Sequence, residues 1–346
     1  MPAPLVTIAI ACRNEEGRIR DLVRAALEQD WPTERLEVVV ADGMSMDSTR
    51  EILGEMAIAD ARVRLLDNPH GTRAAGLNEC IRHAAKGSEL VIRFDAGAEY
   101  PADFVRRCAE ALDRSGADNV AGAARPRGKT FLQRCVAAAL RSPLGIGGWG
   151  KATPADRGWV DGVRPGAFRR GVFERIGLFD PRAAADEDVE LGRRIAAAGG
   201  RIEQSEDVGA DYYPAQSLQG LARKSFGYGL GRARTMLKHG RFSSWGPTLP
   251  LLWLVGEIAL IAASPRRALP WSLAGYALAT GAEAVRVGRS EGALAVPVVW
   301  ALFPVLHVAH GVGFASGLAK YVVKPDWETA ERLEPETVSS TATAST

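Results

Sequence analysis

Three acidic side chains stand where an apolar run of the chain stops. Asp95 follows Leu90-Val91-Ile92-Arg93-Phe94, Asp42 follows the run from Leu36 to Ala41, and Glu15 follows the run from Leu5 to Ala11. In open α/β sheets ligands collect beyond the carboxyl ends of the strands. Acids at such ends suit hydrogen bonds to ribose or base donors, or a divalent ion that in turn grips a diphosphate. Ala96 and Gly97 after Asp95 clear space for a ligand. A fourth acidic group, Asp186-Glu187-Asp188-Val189-Glu190, opens a segment of helical spacing continued by Leu191 and Ile195.

The elements that must hold these acids are legible in the first half. Each apolar run is a buried strand by length and content. Between them Ile19, Leu22, Val23, Ala26 and Leu27 recur at helical spacing, as do Ile52, Leu53 and Met56, then Leu77 and Ile81. A third strand is expected over Val63 to Leu66. Strands joined by helices predict a mostly parallel α/β sheet covered on both faces, because parallel strands need crossover connections. Neither GxGxxG nor GxxxxGK[ST] follows the first strand, so a dinucleotide cofactor and a P-loop lose ground.

Composition narrows the classes further. Across 346 residues 43 basic side chains face 41 acidic ones, a net charge of +2, and no nucleic-acid module is present, so no nucleic-acid partner is expected. Cys12, Cys80, Cys108 and Cys135 have neither disulfide nor zinc spacing, which points to a reducing compartment. The short apolar run before Arg13 lacks the form of a secretory signal.

The second half reads differently. From Gly122 to Gly150 the pattern is irregular, and a basic stretch from Arg223 to Arg241 includes Phe226 and Tyr228. Three apolar segments follow, Leu249 to Ala263, Ala268 to Val285 and Ala293 to Ala319, of which the third exceeds the roughly 20 residues that span a bilayer. A membrane-embedded region is expected over residues 241–325, with a helical bundle packed on the α/β domain, or interfacial helices, as the rival. Residues 1–240 form the expected catalytic domain, and the Thr/Ser-rich residues 326–346 an expected disordered tail. His307 and His310 share a helix face but lack a third ligand, so they are read as packing contacts.

With these residues in view the chain resembles the family-2 glycosyltransferases of the GT-A fold, in particular the bacterial membrane-associated branch that builds exopolysaccharide. The resemblance covers about the first 230 residues. It rests on Arg13-Asn14-Glu15, on Asp42-Gly43 with Ser45, Asp47 and Thr49, on Arg73 and Asn78, on Asp95-Ala96-Gly97, and on Glu187-Asp188, in that order. It implies an inverting hexosyltransferase with a nucleotide-diphosphate sugar as donor and a lipid-linked or polysaccharide acceptor, working on the cytoplasmic face of the cell membrane. It makes Asp188 the general base and Asp95 the ligand of Mg²⁺ or Mn²⁺. Asn14, Glu15, Asp42, Arg73, Asn78 and Glu187 become substrate-binding residues.

Two departures stand out. Gly97 replaces the family's second metal-liganding or polar side chain, which leaves Glu99 as a substitute ligand. The Gln-x-x-Arg-Trp motif of processive synthases is absent, with Arg223 to Gly229 in its place. Plainer readings stand beside these: an Asp-Gly turn for Asp42, a solvated helix arginine for Arg73, and acids complementing a helix N-terminus for residues 186–190. Two functional rivals are a nucleotidyltransferase, for which residues 13–17 lack a triphosphate loop, and a non-catalytic nucleotide-sugar-binding scaffold, which Gly97 keeps open.

Overall fold

The computed structural model describes residues 2–145, 166–183, 185–240, 246–262 and 268–327. The first half alternates as expected: β1 (Val6–Cys12), α1 (Ile19–Leu27), β2 (Leu36–Asp42), α2 (Thr49–Ala59), β3 (Val63–Asp67), α3 (Arg73–Arg82) and β4 (Leu90–Phe94). Strands β1, β2, β3 and β4 are mutually parallel where they pair. Their register sets the site. Cys12 pairs with Asp42 and Asp42 with Asp67, while Ile10 pairs with Phe94, so Asp95 leaves the sheet level with Ala11.

The period of two along β1 sends Val6, Ile8 and Ile10 into a core beneath α1 and α4 (Phe104–Ser115), and Ala9 into a second core. Leu77 and Ile81 of α3 close that second core with Phe168, Phe173 and Phe179. Each such fully buried side chain stabilises the fold by about 1.5–3 kcal/mol relative to exposure.

The sheet continues through elements with no clear sequence pattern. The short β5 (Ala98–Glu99), β6 (Asn119–Pro126), β7 (Gly166–Arg169) and β8 (Ile202–Tyr212) complete an eight-stranded order β3-β2-β1-β4-β7-β6-β8-β5. Strand β7 runs antiparallel between β4 and β6. Between these strands lie α5 (Phe131–Arg141), α6 (Gly171–Ile176) and α7 (Glu187–Ala197). The expected irregularity over 122–150 gives way to β6 and α5, which a Thr130/Gln133 capping box starts; residues 146–150 lie outside the described residues.

The C-terminal helices are α8 (Leu218–His239), α9 (Leu249–Ala262), α10 (Ala268–Gly288) and α11 (Ala295–Val323). Among the described helices α11 alone is long and apolar enough to cross a membrane, and 44% of its most apolar stretch is buried inside the protein. It lies backbone against backbone on α8. A Cβ on Gly229 would come 2.1 Å from the His310 carbonyl oxygen, and one on Gly313 would come 2.1 Å from that of Phe226, so only glycine permits this approach. The acids in the apolar region are held by protein: Ser272 donates to Glu257 and Ser142 to Glu283. Outward, Leu252, Val255, Ile258 and Ile261 of α9 and Trp271 and Leu278 of α10 are exposed. Asp326, expected in the tail, pairs with Arg234 at 2.8 Å, and the expected disorder beyond it concerns residues outside those described.

Candidate active site

The strand ends open into a cavity of about 390 Å³. Its floor is Ala11 to Arg13 after β1 and Asp95 to Ala98 after β4; its walls are the start of α7, the end of β8 and one face of α8. Glu15, Arg73, Asp95 and Asp188 line it, so four of the sequence-derived site residues are brought together.

Asp95 is one-fifth exposed, and its Oδ1 lies 2.8 Å from Nε of Arg93. Burial would raise its pKa, but Arg93 and then Arg73 outweigh burial and hold the carboxyl below the ordinary carboxylate value. Arg93 itself is 5% exposed and also reaches Glu187 at 3.2 Å, which Arg73 approaches at 2.8 Å. The four form an alternating chain, Asp95, Arg93, Glu187, Arg73. Asp188, one residue beyond Glu187, is raised above its ordinary value, by burial first and by the Glu187 charge second. An acid kept basic beside one kept ionised is the pattern that assigns a proton acceptor.

Four of the expected substrate-binding residues do not line this cavity. Asp42 is fully buried, and its oxygens accept from the amide and hydroxyl of Ser45 and pair with Arg50, so it braces the 43–49 loop and does not line the cavity. Asn78 is 1% exposed and exchanges two hydrogen bonds with the backbone of Phe179, at 2.8 and 2.9 Å, which ties α3 to the segment before α7. Asn14 sits at φ 54, and its Oδ1 accepts from the Met46 amide, again a brace for that loop. Glu187 is 1% exposed and committed to the two arginines, so it positions Arg73 and Arg93. Glu99 is committed as well: it pairs with Lys129 and accepts from the Tyr213 hydroxyl at 2.8 Å, away from Asp95.

Other residues of the site were not singled out from the sequence. Arg93 was visible as the one charge within β4, between Ile92 and Phe94. Lys224, Tyr228 and Arg232 line the cavity from α8, and their i, i+4, i+8 spacing was a readable signal of one helix face. Lys224 donates to the Tyr212 hydroxyl and lies 4.7 Å from that ring's centroid. Arg232 reaches Asp186 at 3.4 Å; Asp186 sits at φ 67, and burial pushes its carboxyl up to about 7. His307 packs as expected, through Tyr276 and the Leu144 carbonyl, whereas His310 and Pro247 reach the end wall of the cavity.

As for a divalent ion, no group of three or more His, Cys, Asp or Glu side chains that could hold one occurs among the described residues. Asp95 and Asp188 are two carboxylates lining the same cavity. Such a set fits an ion of the Mg²⁺ type, which binds through one or two carboxylates together with substrate phosphates and water.

The family described as Glycosyl transferase family 2 matches residues 7–142. Over 244 residues the chain is 36% identical to the succinoglycan biosynthesis protein ExoA of Rhizobium meliloti, covering 70% of this chain and 74% of that one. This chain belongs to glycosyltransferase family 2. A second relative, a dolichyl N-acetyl-glucosaminyl phosphate diacetamido-dideoxy-glucuronosyltransferase of Methanococcus voltae, is 22% identical over 72% of this chain and 77% of its own. The fold agrees with that of the mannosyltransferase PcManGT of Pyrobaculum calidifontis, solved with GDP-Man and Mn²⁺, at a TM-score of 0.58 and 22% identity over 91% of this chain and 87% of that one. As a family-2 glycosyltransferase the protein has the GT-A-like sheet and transfers a sugar from a nucleotide sugar. That settles the choice between an enzyme and a scaffold.

Proposed function

We propose that this glycosyltransferase works with inversion, as a hexosyltransferase that moves its sugar to a lipid-linked or polysaccharide acceptor at the cytoplasmic face of the cell membrane. The observation that carries the reading is the charge arrangement in one cavity. Arg13, Arg18 and Lys224 line it without an ion-paired carboxylate among the described residues, and Asp188, with its raised pKa, lines it too. Unpaired cations suit a diphosphate; a raised carboxyl suits proton abstraction.

In this reading the Asp188 carboxylate takes the proton of an acceptor hydroxyl while that oxygen forms a bond to the anomeric carbon. The bond from that carbon to the donor diphosphate breaks on the opposite face, which inverts the centre. A positioned base of this kind contributes about 10²- to 10⁴-fold in rate. Arg73 and Lys224 face the leaving diphosphate, and Arg93 keeps Asp95 ionised. A Mg²⁺ or Mn²⁺ held by Asp95 with the diphosphate would neutralise charge as it develops. The exposed apolar faces of α9 and α10 and the cationic α8 support seating at a membrane, where an acceptor with a lipid anchor is found.

The test is nucleotide release from UDP-, GDP- and dTDP-sugars, with membrane extract as acceptor source, for the wild type, Asp95→Ala and Asp188→Asn, with and without Mn²⁺. The expected result is turnover of one donor, lost in both variants, with Asp188→Asn still binding that donor. Retained turnover in Asp188→Asn would remove the base assignment.

A further inference from the structure

Glu99, expected from the sequence as a substitute metal ligand, instead belongs to a second cavity of about 370 Å³ between the start of α1, β5 and the start of α5. This cavity adjoins the first: Arg18, Ala96, Gly97, Ala98, Tyr213 and Gln216 line both. Gly97 stands at the junction. A Cβ there would lie 3.6 Å from Cε2 of Tyr212, so a methyl fits but a longer side chain would press into a wall of the first cavity or fill the passage. The departure at residue 97 therefore has a spatial consequence: no side chain of that residue stands between the two adjoining cavities.

The lining of the second cavity selects a class of ligand. Glu99 accepts from Tyr213 and pairs with Lys129, while Asp21 and Gln216 add further polar groups around Leu22 and the ring of Tyr100. Donors and acceptors are mixed at close range over an apolar floor. The carboxylates of Asp21 and Glu99 offset the cations of Arg18 and Lys129, so no excess positive charge favours a phosphate or nucleotide, and the many polar side chains do not suit an acyl chain. A sugar ring, whose hydroxyls both donate and accept and whose CH faces are apolar, meets both requirements. Asp188 lines only the first cavity, so the reacting hydroxyl is not bound in the second.

We propose that the second cavity is a saccharide subsite that holds a sugar residue of the acceptor distant from the attacking hydroxyl. The proposal rests on the transferase reading above, and the experiment separates the two. Glu99→Ala and Lys129→Met, which touch only the second cavity, are compared with the wild type as full-length protein in two assays. In the first, nucleotide release from the active donor is followed with water alone and with a dilution series of membrane extract. In the second, binding of neutral β-linked disaccharides is measured by saturation-transfer NMR, with inorganic phosphate added as a competitor.

The expected result is an about 10-fold rise in the extract concentration giving half-maximal release, the loss of one or two charged hydrogen bonds, with release to water unchanged. Disaccharide binding should weaken by a similar factor in both variants, with no competition from phosphate. Equal loss of release to water, or unchanged response to extract and disaccharide, would overturn the subsite. If the wild type releases nucleotide from no donor, the proposed reaction is what fails, and the disaccharide measurement alone decides the subsite.

Discussion

Arg93→Met is the most informative single change outside the cavity's reacting groups, because it removes the cation on which two carboxylates lean. Arg93 is 5% exposed and lies 2.8 Å from Asp95 and 3.2 Å from Glu187. Methionine occupies part of the arginine stem's volume and carries no charge. Glu187, 1% exposed, is then left with Arg73 alone, and Asp95 with no ion-paired arginine. Removing one partner of a buried pair costs about 3–5 kcal/mol. Asp95 is one-fifth exposed and can recruit water, so the lower end applies, about 3 kcal/mol. For a chain of this size that lowers the thermal midpoint by about 4 °C. Arg73→Met should cost less, because the Arg73 side chain is 39% exposed and its pair is screened by solvent.

The pH dependence tests the cause as well as the size. In the wild type Asp95 and Glu187 are held below the ordinary carboxylate range, Glu187 by Arg73 and Arg93 acting against its burial. Their contribution to stability is therefore present above the unfolded pKa near 4 and lost as pH falls through the lower folded values. Without Arg93 burial dominates and their folded pKa values rise, so the variant's deficit is greatest at neutral pH and narrows as the carboxylates take up protons. Scanning fluorimetry of both proteins at pH 7.5 and pH 4.5 measures this. A midpoint within 1 °C of wild type at pH 7.5, or a gap that does not narrow at pH 4.5, would refute the account of the alternating chain.

Two further outcomes follow from the same coordinates. Asp186→Asn should stabilise the protein above pH 7 by up to about 4 kcal/mol, since burial lifts this carboxyl to about 7 and asparagine tolerates its φ of 67; the raised folded pKa means that stability is lost as pH rises from about 4 to 7, and a melting series over that range should be flatter in the variant. Gly229→Val should separate α8 from α11, because even its Cβ would fall 2.1 Å from the His310 carbonyl oxygen, and the overpacking cost of about 1–3 kcal/mol or more should appear as a lowered midpoint and as faster proteolysis at the C-terminal helices.

How far the fold could be read beforehand follows from the kind of packing each part uses. The parallel half was legible because β1, β2 and β4 are buried on both faces and therefore apolar along their length, so that Asp42 and Asp95 stand out where burial of apolar side chains ends. Strands β6 and β8 were not. Asn119-Val-Ala-Gly and Ile202-Glu-Gln-Ser carry small and polar residues, and they are strands because they pair in parallel with each other while β7 closes the gap to β4. Such pairing is a tertiary fact that local periodicity does not contain.

The site divides along the same line. Asp95 and Asp188 line the cavity, whereas Asp42, Asn78 and Glu187 share the motifs but lie behind its lining, held by partners that for Asn78 are 101 residues away. The α8 face was readable as a spacing but not as a wall of the cavity. Its cations read as charge beside a membrane, yet α8 packs along α11 through glycines, which turns Lys224, Tyr228 and Arg232 inward to the cavity and carries His310 to its end wall. The apolar helices therefore bear on the cavity itself. Through the α8–α11 contact they set the position of three cavity residues, so a change in how α11 is seated would be carried to the cavity by one rigid helix, without any loop between them.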